Sequence, residues 1–249
     1  MKVSIITVVF NGESTIKDCI ESVLGQTYPG IEYIIVDGKS TDSTVEIVKS
    51  YGSRIAHFVS EKDRGIYDAM NKGIALATGD VVGILNADDF YAHPNVIQKI
   101  VQAMGNADAV YGDLVYVDAQ NTDQIKRYWQ SGSYERKKFL YGWMPPHPTF
   151  FLKNASYKAL GGYRLDLGTA ADYELMLRML YVHRLNVNYL PDIVTIMRAG
   201  GASNKAVSNQ VKANQNDRLA WQLNQIKPFW FTLWLKPIRK ILQFINRPK

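Results

Sequence analysis

The sequence predicts an α/β fold: a Rossmann-like, doubly wound, mostly parallel sheet with a small antiparallel extension in its second half. Three observations predict it. Short apolar runs alternate with helical patterns through the first ninety residues. The runs are continuous rather than alternating, as in strands covered on both faces. Acidic residues directly follow two of them, where open parallel sheets bind their ligands.

Val3–Phe10 is the first strand, broken by Asn11-Gly12, and Ile16, Ile20, Val23 and Leu24 then recur at helical spacing. Ile31–Val36 is the second strand, followed by Gly38-Lys39-Ser40-Thr41-Asp42 and a helix opening near Ser43. Glu46, three residues on, suggests a capping box. Ile55–Val59 is a third strand, Ile66–Ala77 a helix closed by Thr78-Gly79-Asp80, and Val81–Leu85 the fourth strand. After Ala107 the pattern changes. Asp108–Asp118 and Ile125–Tyr128 read as a hairpin-type pair, followed by the Pro-rich stretch Trp143–Phe151. A helix is predicted at about Asp172–His183, strands at Val187–Leu190 and Ile193–Arg198, and a polar helix over 205–225 with apolar positions Val211, Leu219 and Leu223.

The chain has 249 residues, enough for a full core, and 47% hydrophobic content is ordinary for a soluble domain. Cys19 is the one cysteine, so no disulfide framework exists and a reducing compartment is expected. No apolar run is long enough to span a membrane, and no secretory signal precedes Val3. The net charge of +6 belongs to the tail: residues 225–249 hold six of the 29 basic residues and none of the 23 acids. Residues 1–224 are therefore formally neutral, which argues against a nucleic-acid partner.

Asp88-Asp89, after the fourth strand, and Asp37, after the second, are hard to explain by packing, because unpaired carboxylates are costly to bury. Their position suggests a ligand crevice with a divalent ion, although Asp88-Asp89 also suits a turn or cap before the helix following Pro94. No G-x-G-x-x-G follows the first strand and no P-loop exists, so phosphates need another device. Mg2+ or Mn2+, which take hard oxygen ligands and keep sites free for phosphate oxygens, would supply it.

Four segments then resemble one family. Ser4-Ile5-Ile6-Thr7-Val8-Val9-Phe10-Asn11-Gly12-Glu13, Asp37-Gly38-Lys39-Ser40-Thr41-Asp42-Ser43-Thr44 and Asn86-Ala87-Asp88-Asp89 resemble family 2 glycosyltransferases, which have the GT-A fold. Ser60–Gly73 is similar to the subgroup that builds bacterial surface polysaccharides, of the colanic-acid type. The resemblance covers about residues 2–200, with Lys39 and Asn86 departing from the usual small residue and first acid. It implies one domain over 1–224, with a nucleotide-sugar-binding half (1–107), an acceptor-binding half (108–224) and a separate tail (225–249).

The resemblance also implies roles. Asp37 would hydrogen-bond the nucleotide base, with Thr7, Phe10 and Glu13 lining the same pocket. Asp63 and Arg64 would reach the nucleotide from the third strand end. Asp88 would bind Mn2+ or Mg2+, with Asp89 beside the ion or the donor sugar and Asn86 next to them. Ala170-Ala171-Asp172-Tyr173-Glu174 is similar to the family's Glu-Asp-x-Asp helix start, which makes Asp172 the base of an inverting transfer. A helix N-terminus favours a charged carboxylate there. Glu174 and Arg178, at i and i+4, read as an ion pair. His147 would touch the acceptor or the diphosphate, as would Arg198 in the loop Arg198–Ser203. Gln215-Asn216-Asp217-Arg218-Leu219 is similar to the Gln-x-x-Arg-Trp motif of processive synthases, but Leu219 replaces the Trp. A solvated helix and transfer of a single sugar are expected.

In the tail, Phe229–Leu235 lies between Lys227 and Lys236, and Ile238, Ile241, Leu242 and Ile245 share one helical face. This composition suits an interfacial anchor on an anionic membrane surface, while packing of the aromatics on the body is the competing reading. The expected protein is a cytoplasmic, peripherally bound transferase with a nucleotide-sugar donor, UDP-linked first, and a saccharide or lipid-linked acceptor. A sugar nucleotidyltransferase and a non-catalytic nucleotide-sugar or membrane-binding module are the alternatives.

Overall fold

Seven consecutive buried residues, Val3–Val9, form β1 inside the parallel part of the sheet. The computed structural model describes residues 1–200 and 207–245. β2 (Ile31–Asp37) and β4 (Val81–Ile84) flank β1 in parallel, and β3 (His57–Ser60) lies outside β2. The sheet continues through β8 (Phe151–Lys153), β6 (Ala109–Val117), β9 (Val187–Arg198) and β5 (Asp89–Tyr91), with β7 (Ile125–Trp129) also on β6. β6 and β9 are parallel, whereas the β4–β8, β8–β6, β6–β7 and β9–β5 pairs are antiparallel.

Alternation along β1 builds two apolar layers. Ile5 and Val9 pack with Cys19 and Ile20 of α1 (Ile16–Leu24), Val48 of α2 (Thr44–Ser50) and Ile100 of α4 (Val96–Met104). On the other face, Ile6 and Val8 pack with Met70 of α3 (Ile66–Leu76), Tyr157 of α5 (Asn154–Leu160) and Leu175 of α6 (Ala171–Met176). Helices thus cover both faces.

Three local expectations change. The Ser43–Glu46 capping box does not form. Glu13 Oε2 accepts from the Ser43 backbone at 2.9 Å and Asp42 Oδ1 from the Thr44 backbone at 3.1 Å, so the α2 start is capped from its own loop and from the loop after β1. The two predicted strands around Pro191 are one strand, β9. Its register against β6 jumps from Tyr189 to Ile193, and this bulge accommodates a proline that has no ladder N–H to give. The polar helix, α7 (Val207–Leu223), is not simply solvated: Trp221 is fully buried and donates from Nε1 to the Tyr173 hydroxyl at 2.9 Å. The helix after Asp172 widens into a π-type turn over Leu177–Val182.

The tail docks on the body through one face. In α8 (Thr232–Ile245), Thr232 donates to the Leu140 carbonyl at 2.6 Å and Leu233 joins the core edge. Lys236 pairs with Asp217 at 2.6 Å and sits 3.7 Å above the Tyr173 ring. Gly142 makes this possible: its φ is +73°, and a Cβ there would lie 2.7 Å from the Lys236 backbone nitrogen. The side chains of Ile238, Ile241, Leu242 and Ile245 lie outside the described residues, as do residues 246–249. Among the described residues no helix is long and apolar enough to cross a membrane.

At the N-terminal ends of the parallel strands Glu32 is buried and fully satisfied, accepting from Ser4 Oγ at 2.6 Å and from the Thr78 backbone at 2.8 Å, and pairing with Lys2. Burial pushes this carboxyl up, but the hydrogen bonds from Lys2, Ser4 and Thr78 outweigh burial and bring its pKa down to about 2. A folded pKa below the unfolded value of 4.5 stabilises the fold above that pH and ceases to do so as pH falls towards about 2. In acid titrations followed by denaturant unfolding, the wild type is expected to lose up to ~3 kcal/mol across this window. Glu32→Gln should show a shallower acid slope, and equal slopes would exclude Glu32 as the cause.

Candidate active site

The loops after β1, β2 and β4 meet at one lip of the sheet, and each is held there by its neighbours. Asn11, at φ +50°, accepts from the Thr41 backbone at 2.8 Å, and the Gly12 backbone donates to Thr44 Oγ1 at 2.9 Å. Glu13 belongs to this clamp through Ser43. Asp37 ends β2 fully buried, accepting from Ser60 Oγ at 2.6 Å, from the Ser40 backbone at 3.0 Å and from the Ser40 hydroxyl. Phe10 stands free at 63% exposure. Gly38 lets the lip close around it: a Cβ at this position would lie 2.6 Å from Asp63 Oδ2 and 3.5 Å from Phe10 Cβ. Phe10, Gly38 and Asp63 therefore meet in one corner above the fully buried Asp37, with an exposed ring and a half-buried carboxylate.

Two residues expected in that corner are placed otherwise. Thr7 is buried on the α1 face of β1, its hydroxyl 3.1 Å from the Tyr33 hydroxyl and 3.5 Å from Cys19 Sγ. Alternation along the strand turns it under the lip rather than onto it. Arg64 pairs with Asp68 at 3.0 Å and is otherwise solvated.

The second corner follows β4. Asp88 is half-buried, whereas Asp89 is fully buried with Oδ1 lacking any hydrogen-bond partner. Asn86 donates to the other Asp89 oxygen at 3.3 Å, and its own Oδ1 is likewise unpartnered. Burial first, then the charge of Asp88, pushes the Asp89 carboxyl well above the usual carboxylate range, against the opposing pull of Asn86 and Arg198. Arg198 donates to the Asp88 carbonyl at 2.9 Å, pairs with Asp18 and lies 4.9 Å from the Phe90 ring centroid. It holds the backbone of the acidic turn, with its side chain 10% exposed. Gly201-Ala202-Ser203 of its loop lies outside the described residues.

These oxygens fit a hard divalent cation. Two buried side-chain oxygens without partners and an adjacent half-exposed carboxylate are a partial oxygen shell. Among the described residues no group of three His, Cys, Asp or Glu side chains is arranged to hold a metal alone. Mg2+ and Mn2+ commonly take one or two carboxylates and complete the shell with water and substrate phosphate.

The third corner belongs to the second half. Asp172 opens α6, half-buried, its Oδ1 accepting from the Tyr173 backbone at 2.7 Å. Tyr67, Tyr163 and Tyr116 lie within range of this carboxylate's charge, and sequence reasoning did not single them out. Burial and then the charge of Asp172 push the Tyr67 hydroxyl up. Tyr67 stacks on Tyr163 with centroids 5.4 Å apart, and Tyr163 bonds Nε2 of His147 at 2.6 Å. His147 is buried behind Tyr163, and burial lowers its pKa while Asp172 raises it. It touches the site only through that tyrosine. At Tyr116, near the end of β6, burial raises the hydroxyl, Arg127 opposes, and the charges of Asp89 and Asp172 raise it further. Tyr67 lies inside the quoted Ser60–Gly73 segment, whereas Tyr116 gave no local signal. Glu174 and Arg178 form the expected ion pair at 2.9 Å, and Arg178 also donates to the Gly162 carbonyl at 2.6 Å, so both are structural.

Comparison with known proteins agrees with this architecture. Residues 4–160 match the model of Glycosyl transferase family 2. An uncharacterized glycosyltransferase of Mycobacterium tuberculosis is 35% identical over 182 residues, covering 72% of this chain and 69% of that protein. A PGL/p-HBAD biosynthesis glycosyltransferase of Mycobacterium bovis is 27% identical over 214 residues, covering 83% of this chain and 81% of its own. Among solved structures, S. aureus TarS 1-349 in complex with UDP-GlcNAc superposes with a TM-score of 0.71 at 17% identity, covering 99% of this chain and 72% of that one. Mannosyltransferase PcManGT from Pyrobaculum calidifontis, in complex with GDP-Man and Mn2+, gives 0.66 at 18% identity, covering 95% of this chain and 72% of that one. The mixed sheet with helices on both faces is the GT-A fold that the motifs implied, and the chain belongs to glycosyl transferase family 2 and is a glycosyltransferase.

Proposed function

We propose that the chain is an inverting, metal-dependent transferase. It moves one sugar from a nucleotide-sugar donor, UDP-linked first, to a saccharide or lipid-linked acceptor in cell-surface polysaccharide biosynthesis. One observation carries the reading: Asn86 and Asp89 each keep a buried side-chain oxygen without a hydrogen-bond partner beside the half-buried Asp88, while a second half-buried carboxylate, Asp172, opens α6. A leaving-group site and a base are needed on opposite sides of a sugar for transfer with inversion. The names of similar proteins support the donor class, since TarS and PcManGT were each solved with a nucleotide sugar.

In this reading Phe10 stacks on the base, and Asp37 and Asp63 hydrogen-bond the nucleoside. Asn86, Asp88 and Asp89 hold Mn2+ or Mg2+, and a divalent ion there offsets diphosphate charge when bound. Asp172 accepts the proton of the acceptor hydroxyl as that oxygen bonds to the sugar carbon and the bond to the diphosphate breaks. Tyr67 orients the Asp172 carboxylate, steadied by Tyr163 and His147. Arg198 positions the acidic turn from behind.

The same proposal sets the chain on the inner face of the cytoplasmic membrane. Trp230 and Trp234 are 83% and 66% exposed, with Phe229 and Phe244 also exposed. Tyr141, Phe229 and Phe231 cluster beside them with centroids 5.2–6.2 Å apart. Aromatic rings with neighbouring basic residues suit the interface of an anionic leaflet.

Three outcomes are expected. Thermal-shift assays with UDP, GDP, dTDP and CDP should show stabilisation by one nucleotide, larger with Mn2+ than without; no shift with any of them would remove the donor assignment. Asp172→Asn should keep that shift while transfer falls by roughly 10²–10⁴-fold, the usual span for a general base. Full activity would require a different base. Trp230→Ala with Trp234→Ala should leave the fold and nucleotide shift intact yet reduce sedimentation with anionic vesicles, and unchanged sedimentation would end the membrane reading.

A further inference from the structure

A row of side chains leads across the sheet away from the acidic turn. Tyr116 stands opposite Arg127 of β7 on one side and Met197 of β9 on the other, and Met197 stands opposite Asp89 of β5. Residues in direct register share a face of the sheet, so Arg127, Tyr116 and Asp89 project to the same side. Strands lie about 4.8 Å apart, which separates the backbones of Arg127 and Asp89 by roughly 14 Å. The Arg127 guanidinium does not stay above its own strand. Its carbon lies 3.8 Å from the Tyr116 ring centroid, bringing the charge one strand nearer the site.

Among the described residues this cation has no acidic partner. Its Nε is shielded from solvent without a hydrogen-bond partner. The rings of Trp129 and Phe244 flank it at 5.7 Å each. An arginine fixed by aromatic faces, half-buried and unpaired among the described residues, keeps its fork of donors for an anion that arrives with a ligand. In the transferase reading the donor diphosphate sits at Asp88, at the far end of the row from Arg127.

We propose that Arg127 binds a phosphate group of the acceptor, so that the sugar is transferred to a phosphorylated compound. The inference rests on the transferase reading above and specifies its acceptor. A lipid phosphate and a soluble sugar phosphate share this chemistry. Phe244 belongs to α8, which also carries the exposed Trp234, so the flank is continuous with the aromatic face of the tail.

The test titrates the full chain with dodecyl phosphate, glucose 1-phosphate and dodecanol by calorimetry, with UDP plus Mn2+ as a separate titration. Wild type is expected to bind at least one phosphate and to bind dodecanol more weakly. Arg127→Gln should weaken phosphate binding about tenfold or more, and Arg127→Lys less, because a lysine keeps the charge but not the fork. UDP affinity should stay within about twofold, with an unchanged unfolding midpoint showing that the variants fold. Preference for dodecyl phosphate over glucose 1-phosphate supports a lipid phosphate, and equal binding supports the phosphate group alone. Absence of phosphate binding, or equal affinities in wild type and Arg127→Gln, overturns the proposal. Loss of UDP binding in the wild type would count against the donor reading and leave the phosphate titrations to judge Arg127.

Discussion

The pairing of β5 with β9 is the contact on which the site is built. Three residues, Asp89–Tyr91, lie antiparallel to Thr195–Met197, joining parts of the chain more than a hundred residues apart. A strand of three residues has no stability of its own, so its ladder exists only because β9 is already anchored along β6. Closing so long a loop costs entropy, but slowly with its length, and the packed sheet offsets it. The pairing has three consequences at once. Asp89 is drawn beneath the lip, Arg198, next in β9 after the paired Met197, reaches the Asp88 carbonyl, and Met197 connects the acidic turn to Tyr116.

The two ends of the parallel strands treat a buried carboxylate in opposite ways. Glu32 is surrounded by donors from Lys2, Ser4 and Thr78, and its pKa falls to about 2. Asp89 has a single side-chain donor, one orphan oxygen and a like charge beside it, and its pKa rises. Leaving a buried polar atom unpaired costs about 1–3 kcal/mol, a sizeable part of a typical net stability. The deficit at Asp89 and Asn86 is one that the proposed divalent ion would relieve.

What could be read in the sequence was whatever is local. Continuous apolar runs gave the parallel strands, because a strand covered on both faces leaves no polar alternation to hide it. Asp37, Asp88 and Asp172 were legible because each sits at an element end next to a recognisable motif. Residues brought together by register were not. Tyr116 and Arg127 are eleven positions apart across a hairpin whose pairing the sequence suggested without its offset, and a one-residue slip would turn both to the other face. Trp221 was missed because the helix around it is polar, and one buried indole with a bonded N–H is enough to dock it. Pro191 made one strand read as two, since the bulge that accommodates it depends on the partner strand.

The tail shows why composition alone could not choose between an anchor and a packed segment. Part of the tail docks on the body and part of it stays exposed. Lys236, which composition assigns to a basic surface, spends its charge on Asp217 and the face of Tyr173, while Trp230 and Trp234 point away. A tail tied to the body at Gly142 and Leu140 cannot swing as a free tether. Whatever surface its exposed rings meet therefore stands at a fixed angle to β7 and to Arg127. Tyr173, which supports Lys236, directly follows Asp172 in α6, so the same few contacts that dock the tail also bear on the start of the helix carrying the proposed base. In the proposed function, attachment and acceptor handling would then be parts of one rigid arrangement.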